Sequence, residues 1–333
     1  MGYSRMRCYA VVSGPDVRLS IDEVSAVLES CDFDQKLQVE GKIVLFDAYA
    51  SYDEVISRLA FISEAGRVLD IVTGFTELDQ EKIAAEFSGR RFKVDSEGFR
   101  PDDKRKIDAE MGRNILKMAK GSSVSLHDPE KVFRIIRYGE AFLCGILERR
   151  FRGRWKERRP RARPFFHPVA IFPKFSRLMV NLSRVRKGGL FLDPCAGTGS
   201  LLLEAADMGI ETIGMDVSKK MVFGFTRNLK AYAAENHHEI LGDARYMPLR
   251  EVSGMATDIP YGRASALVGG RSPYLARAVL EQALSLLKKG GCIVIMTSGK
   301  DRPGEVGGLE QISVYDLYVH RSLTRRLSVY RRR

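Results

Sequence analysis

Three acidic residues in the C-terminal half each follow a short apolar run, and a glycine-bearing loop joins the first of them to a helix-like stretch. Gly189-Leu190-Phe191-Leu192 leads into Asp193-Pro194-Cys195-Ala196-Gly197-Thr198-Gly199-Ser200, and Leu201 to Ala206 then has the composition of a helix. Gly197 and Gly199 permit a sharp turn and a close approach of the backbone to a ligand at a helix N-terminus. Dinucleotide-binding loops add a third glycine three residues later, where this chain has Leu202. Asp193 suits the ammonium of a methionine moiety instead. Asp216, after Thr212 to Met215, stands at the spacing of a carboxylate that holds ribose hydroxyls. Asp243, in Leu241-Gly242-Asp243-Ala244, is expected to end a third strand and to accept from an adenine amino group. The glycine pair alone is equally compatible with a structural turn. With the three acids in register, the set predicts a site for S-adenosyl-L-methionine, lined further by Ala196, Thr198, Val217 and Ala244 and walled by His167, for which a packed histidine near a domain junction is an equal alternative.

A fourth acid opens Asp258-Ile259-Pro260-Tyr261-Gly262, after the strand-like Gly254 to Thr257 and thus at the end of a strand where α/β sheets place ligands. This resembles the Asp/Asn-Pro-Pro-Tyr motif of amino-group methyltransferases. An exocyclic base amine is a poor nucleophile because its lone pair is delocalised into the ring, so alignment must do most of the catalysis. The motif implies that the amine donates its hydrogens to the Asp258 carboxylate and the Ile259 carbonyl, turning the lone pair toward the methyl donor. Pro260 stiffens the turn, and Tyr261 offers its ring to an unstacked base. Ile259 departs from the motif's proline but keeps the main-chain carbonyl. The alternative is a turn in which Asp258 caps backbone amides and Tyr261 packs inward.

Other reactive side chains form no constellation. His237 and His238, after Glu235-Asn236, are expected at a helix end, where the helix dipole accounts for them. Cys195 lacks an activating base and reads as a packing residue. The five cysteines, Cys8, Cys31, Cys144, Cys195 and Cys292, contain no Cys-x-x-Cys pair, so neither a disulfide framework nor a metal site is expected.

The net charge of +12 is unevenly spread. Between Arg149 and Arg163, nine basic residues face the single acid Glu157. Arg149, Arg150, Arg152, Arg154, Arg158, Arg159, Arg161 and Arg163, with Phe151 and Trp155 interleaved, suit a nucleic-acid backbone with some base stacking. A solvated linker is the alternative. A second cluster, Arg321, Arg325, Arg326 and Arg331 to Arg333, closes the chain. No apolar run approaches the ~18 residues of a membrane span, and no signal-peptide core follows Met1, so a cytoplasmic protein without membrane partners is expected.

These residues require elements to hold them. Downstream of Arg158-Arg159-Pro160-Arg161-Ala162-Arg163-Pro164, strands and helices alternate, which predicts a mostly parallel sheet, closed by an antiparallel hairpin over Ile312 to His320 and Thr324 to Tyr330. The fold class is α/β, Rossmann-like. Upstream the pattern is α+β. Strands are expected near Cys8 to Ser13, Lys42 to Asp47, Arg67 to Gly74, Arg91 to Asp95, Ser123 to Leu126 and Val132 to Tyr138. Helices are expected near Ile21 to Ser30, Tyr52 to Ile62, Leu78 to Phe87 and Ile107 to Met118.

Three stretches together resemble the archaeal tRNA (guanine-N2)-methyltransferases acting on guanosine at position 10. The first is Phe165-Phe166-His167-Pro168 with Pro173-Lys174 and Met179-Val180-Asn181-Leu182. The second comprises Asp193 to Gly199 and Asp258 to Gly262. The third is Val319-His320-Arg321-Ser322-Leu323-Thr324-Arg325. The resemblance implies a class I methyltransferase domain over residues 171–333 and a basic linker over 151–170. It also implies a THUMP RNA-binding domain over 61–150 and a ferredoxin-like region over 1–60. Val124-Ser125-Leu126-His127-Asp128-Pro129-Glu130 is similar to a THUMP segment. The implied substrate is tRNA, receiving one or two methyl groups, and some relatives work with a small zinc-binding activator protein. Cys195-Ala196 and Ile259 depart from the family pattern. Another tRNA or ribosomal RNA guanosine, a DNA adenine, or a non-catalytic RNA-binding role remain alternatives, although the basic linker and the THUMP-like half favour RNA over DNA.

Overall fold

The computed structural model describes residues 5–34, 36–49, 52–151, 155–168, 170–232, 234–260, 272–321 and 323–333. Tyr261, Arg152 and Arg154 lie outside the described residues. The chain forms two compact units, one of residues 1–21, 33–56 and 62–152, the other of 22–32, 57–61 and 153–333.

The first unit is built on strands β1 (Met6–Val12), β2 (Gln38–Glu40), β3 (Ile43–Ala48), β4 (Ile62–Val72), β5 (Arg91–Glu97), β6 (Ser123–Val124), β7 (Lys131–Tyr138) and β8 (Ala141–Arg150). Its helical segments belong to α1 (Val17–Ser30), α2 (Tyr52–Arg58), α3 (Gln80–Phe87) and α4 (Pro101–Met118), of which α1 and α2 also contribute residues to the second unit. All eight strands join one sheet in the order β2-β3-β1-β4-β8-β7-β5-β6, so the segments expected as two N-terminal modules share a single sheet.

Helix starts were legible in their caps rather than their periodicity. α1 begins earlier than Ile21 because Asp16 Oδ1 accepts from the Arg18 and Leu19 amides. α4 begins six residues before Ile107, with Pro101 in its first turn and Asp102 and Asp103 beside the positive end of its dipole. α2 stops at Arg58, short of the expected Ile62, where β4 takes over.

The larger correction is β8, for which no strand was expected. Gly139, in the left-handed region at φ 58°, turns β7 back on β8, which then pairs with β4. Gly145 and Gly66 let the backbones close up: a Cβ on either would lie within 2.3 Å of a carbonyl oxygen on the facing strand. Arg149 and Arg150 therefore end a paired strand, opposite Ala65 and Glu64, and do not begin a linker.

The second unit contains α5 (Pro173–Leu182), β9 (Leu190–Asp193), α6 (Ser200–Ala206), β10 (Glu211–Asp216), α7 (Lys219–Ala231), β11 (His237–Leu241), β12 (Gly254–Asp258), α8 (Ser272–Leu286), β13 (Cys292–Ser298), β14 (Leu309–His320) and β15 (Leu323–Arg332). Its sheet runs β11-β10-β9-β12-β13-β15-β14, parallel through β13 and antiparallel in the closing hairpin, as expected. β13 is buried along Cys292 to Thr297, the continuous apolar run of a strand covered on both faces. Leu192, Met215, Met255, Ile293 and Ile295 meet Val279, Leu280 and Ala283 of α8 in one core. His237 and His238 lie on β11, not at a helix end. α7 stops at Ala231, His237 Nδ1 contacts the Ala234 carbonyl, and His238 pairs with Glu211.

Candidate active site

In the second unit the strand order reverses between β9 and β12, which opens a crevice at the carboxyl ends of the parallel strands. Asp193 ends β9, Asp216 ends β10 and Asp258 ends β12, so three of the four acids share that edge. Asp243 lies two residues past the end of β11, in the turn and not on the strand as expected.

The glycine loop has the geometry its composition called for. Gly197 and Gly199 are left-handed, at φ 53° and 78°. A Cβ on Gly199 would come within 2.8 Å of Phe225 Cβ on α7, so the position needs glycine for space as well as conformation. The Ala196 amide donates to the Met215 carbonyl, and the Gly197 amide to Asp216 Oδ2, which fastens the loop to β10. Asp216 Oδ1 accepts from the Ser218 amide, and each carboxylate oxygen retains a lone pair for a ribose hydroxyl. Burial raises its pKa above the ordinary carboxylate range.

Asp193 is buried; its Oδ1 accepts the Cys195 amide at 3.2 Å, and the Thr257 hydroxyl beside it also favours the ionised form. Burial, reinforced by the neighbouring carboxylates Asp216 and Asp258, pushes its pKa up to about 7. A desolvated carboxylate that keeps lone pairs beyond these two donors fits an incoming ammonium group, and this is the test the methionine end of S-adenosylmethionine sets. Asp243 differs. Its carboxylate accepts the Arg245 amide and guanidinium, which hold its pKa low, so any adenine contact shares it with Arg245. Among the remaining expected lining residues, Val217 is exposed beside Asp216, whereas Ala196, Thr198 and Ala244 are buried and leave chiefly main chain to a ligand. Cys195 packs on the core, and burial raises its thiol pKa well above the usual value, which excludes a nucleophilic thiolate.

Asn228, buried on α7, was not singled out in the sequence. Its side-chain amide donates to the carbonyls of Phe165 and Thr198, and its oxygen accepts the Phe165 amide. It thus ties the segment carrying His167 to the glycine loop. His167 is half-buried, and its Nδ1 has no hydrogen-bond partner among the described residues. The available signal was a polar side chain one turn after Phe225 on an otherwise inward-facing stripe. Asn181, in the stretch that opens the domain, is anchored within the same unit by the buried carboxylate of Glu23, to which it donates at 2.7 Å.

Asp258 is part-buried, and its Oδ1 has no hydrogen-bond partner among the described residues. Burial lifts its pKa to about 6, against the opposing charge of Arg325. Ile259 is fully buried in the core, and its amide donates to the Met296 carbonyl at 2.9 Å. Proline could not make that bond, so the sheet supplies stiffness that the ring would otherwise give. The structure brings Asp258, Ile259 and Pro260 together at the strand end.

The basic segment is divided. Arg163 is buried and donates to Ser200 Oγ and the Arg158 carbonyl. Arg158 pairs with Glu204 and Asp207, alongside the buried Arg177. Both belong to the expected RNA-binding set, and in this structure their guanidiniums are paired within the protein. Trp155 sits against the guanidiniums of Arg158 and Arg177. Arg150 is taken by Glu64 and Asp95, and Arg149 lies 3.8 Å from Asp53. Arg159, over the Phe172 ring, and Arg161 are exposed. In the C-terminal cluster, Arg326 pairs with Asp316, Arg331 with Glu29 and Arg333 with Glu310. Among the described residues no group of three or more metal-ligating side chains could hold a metal ion, and no helix is long and apolar enough to cross a membrane.

Residues 160–326 match the family model described as "RMKL-like, methyltransferase domain". The tRNA (guanine(10)-N2)-dimethyltransferase of Methanothermobacter thermautotrophicus is 32% identical over 98% of this chain and 100% of its own. That of Methanocaldococcus jannaschii is 26% identical over 97% and 99%. The crystal structure of TrmN from Thermus thermophilus superposes with a TM-score of 0.52 at 20% identity, covering 98% of this chain and 100% of that one, a likeness of fold. With a methyltransferase domain over half its length and an archaeal relative matched end to end, the chain belongs to the family of the tRNA (guanine(10)-N2)-dimethyltransferases.

Proposed function

We propose that this chain transfers methyl groups from S-adenosylmethionine to the N2 amine of a guanosine in tRNA, at the position named for its relatives. The observation that carries the reading is the row of carboxylates at neighbouring parallel strand ends, the buried Asp193 on one side of the crevice and Asp258, whose Oδ1 has no hydrogen-bond partner among the described residues, on the other. Asp193 would hold the cofactor's ammonium and Asp216 its ribose hydroxyls, while His167, Val217 and Asp243 would border the nucleoside. The cofactor supplies an electrophilic methyl group on a sulfonium.

The chain's own residues do the rest. Asp258 and the Ile259 carbonyl accept the amine hydrogens, which fixes the nitrogen and aims its lone pair. A charged acceptor gains strength as positive charge develops on that nitrogen during transfer. Pro260 limits the motion of the turn, and Tyr261 is assigned to stacking on the target base, which must leave its helix to reach the crevice. Exposed Arg159 and Arg161 are assigned to the RNA backbone, and the N-terminal unit to docking the tRNA.

The test incubates the purified chain, alone, with unmodified tRNA and labelled cofactor, and locates the methylated nucleoside by nuclease digestion and mass spectrometry. N2-methylguanosine or its dimethyl form at position 10 supports the reading. Normal cofactor binding with no transfer to any RNA refutes it, and transfer elsewhere moves the substrate.

A further inference from the structure

β15 lies antiparallel beside β13, which lies parallel to β12. Met296 of β13 stands opposite Asp258 on one side and Leu327 on the other, and Ser298 stands opposite Arg325. The start of the closing hairpin's second strand is therefore carried to the carboxyl edge where Asp258 sits. Arg325 Nη1 reaches to 3.9 Å from Asp258 Oδ2 and 3.7 Å from Met296 Sδ. The two side chains are 21% and 19% exposed, so their attraction is screened far less than that of a surface pair. Composition placed Arg325 in the basic cluster that closes the chain, and the register of β15 brings it beside a carboxylate.

We propose that Arg325 is a positioning residue for the transfer: its charge holds Oδ2 of Asp258 and leaves Oδ1 to the substrate amine. The inference rests on the function proposed above. Among the described residues, the other titratable groups close to Asp258 are Asp193 and Cys195 on the neighbouring strand end and loop, whose own ionisation the Asp258 charge opposes. Arg325 opposes the desolvation of Asp258. β13 contributes Met296 and Ser298 to this edge, neither of which titrates.

Arg325→Met keeps an unbranched apolar stem and removes the charge, and Arg325→Lys restores a charge. Removing an adjacent cation raises a carboxylate pKa by about 1–3 pH units. Starting from about 6, the ionised fraction at pH 7 then falls by roughly 2- to 100-fold. The acid limb of kcat against pH should move up correspondingly in Arg325→Met and return most of the way in Arg325→Lys, with tRNA KM and cofactor Kd near wild type. In an Asp258→Asn background, Arg325→Met should have little further effect on kcat, because the charge it acts on is gone.

Independently of turnover, the Asp258 carboxyl carbon should titrate higher in Arg325→Met by NMR of protein carrying 13C-labelled aspartate, assigned by its loss in Asp258→Asn. An unmoved titration overturns the proposal. So does a raised tRNA KM with an unshifted acid limb, which would make Arg325 a phosphate contact. Wild-type protein that methylates no RNA refutes the proposed function instead, and the titration still decides whether Arg325 sets the charge on Asp258.

Discussion

Cofactor binding should be linked to a proton through Asp193. In the free protein this carboxyl is buried and titrates near 7, about three units above an ordinary aspartate. Only its ionised form pairs with an ammonium, so apparent affinity scales with the ionised fraction. That fraction is about three quarters at pH 7.5 and about 3% at pH 5.5, which predicts a Kd about 25-fold weaker at the lower pH. The direction follows from the raised pKa: affinity is lost as pH falls through about 7, well above the range where unperturbed carboxylates titrate. Isothermal titration calorimetry at several pH values, in buffers of different ionisation heat, reads both the affinity and the proton released. Close to one proton should leave per cofactor bound near pH 6. Asp193→Asn should flatten the profile and weaken binding at pH 7.5 by about 10- to 150-fold, the loss of a charged hydrogen bond. An affinity independent of pH between 5.5 and 7.5 in the wild type would refute the assignment of Asp193 to the ammonium. A slope that persists unchanged in Asp193→Asn would transfer the linkage to Asp216 or Asp258, the other carboxylates of the site whose pKa burial raises.

Asp258→Ala should abolish methyl transfer in the labelled-tRNA assay while leaving cofactor Kd within a few fold, and a large loss of cofactor binding would move Asp258 out of its role toward the amine. Gly199→Ala forces a side chain into the left-handed region and within 2.8 Å of Phe225 Cβ, so it should cost about 1–3 kcal/mol in thermal or urea unfolding and weaken cofactor binding with it. Arg177→Met leaves the fully buried Glu204 with Arg158 as its one remaining ion-pair partner among the described residues and should destabilise by about 2–4 kcal/mol, more than Arg177→Lys. Charge reversal at exposed Arg161 should leave Tm unchanged and lower the salt dependence of tRNA binding by about one phosphate contact in a filter-binding titration, whereas unchanged affinity would make that segment structural throughout.

The chemistry of this site was legible because it depends on residue types at strand ends and turns, which leave local marks. Glycines at left-handed positions, an acid after each short apolar run and a proline-containing turn signal themselves within a few residues, and the alternation of strands and helices around them predicts the parallel sheet. Strand β8 was not legible as a strand. Its apolar stretch is short, contains Gly145 and runs directly into the arginines, and its place in the sheet depends on β4, some eighty residues away, supplying Gly66 for close approach.

Charge is where the sequence by itself determined least. A run of arginines has the same composition whether it meets water, phosphate or a buried carboxylate. The structure committed Arg158 and Arg163 to the α6 region, Arg150 to Glu64 and Asp95, Arg326 to Asp316 across the closing hairpin and Arg331 to Glu29, distant in sequence, leaving Arg159 and Arg161 exposed. The same holds for the departure at Ile259, where sequence supplied an isoleucine in place of a proline and only the neighbouring strand supplied the Met296 carbonyl that steadies it. The sequence by itself marked Asp193, Asp216 and Asp258 as acids at strand ends, because those positions belong to short segments. Which groups are ionised, paired or free was decided by the tertiary structure, because pairing and desolvation are properties of neighbours that the chain brings together only on folding.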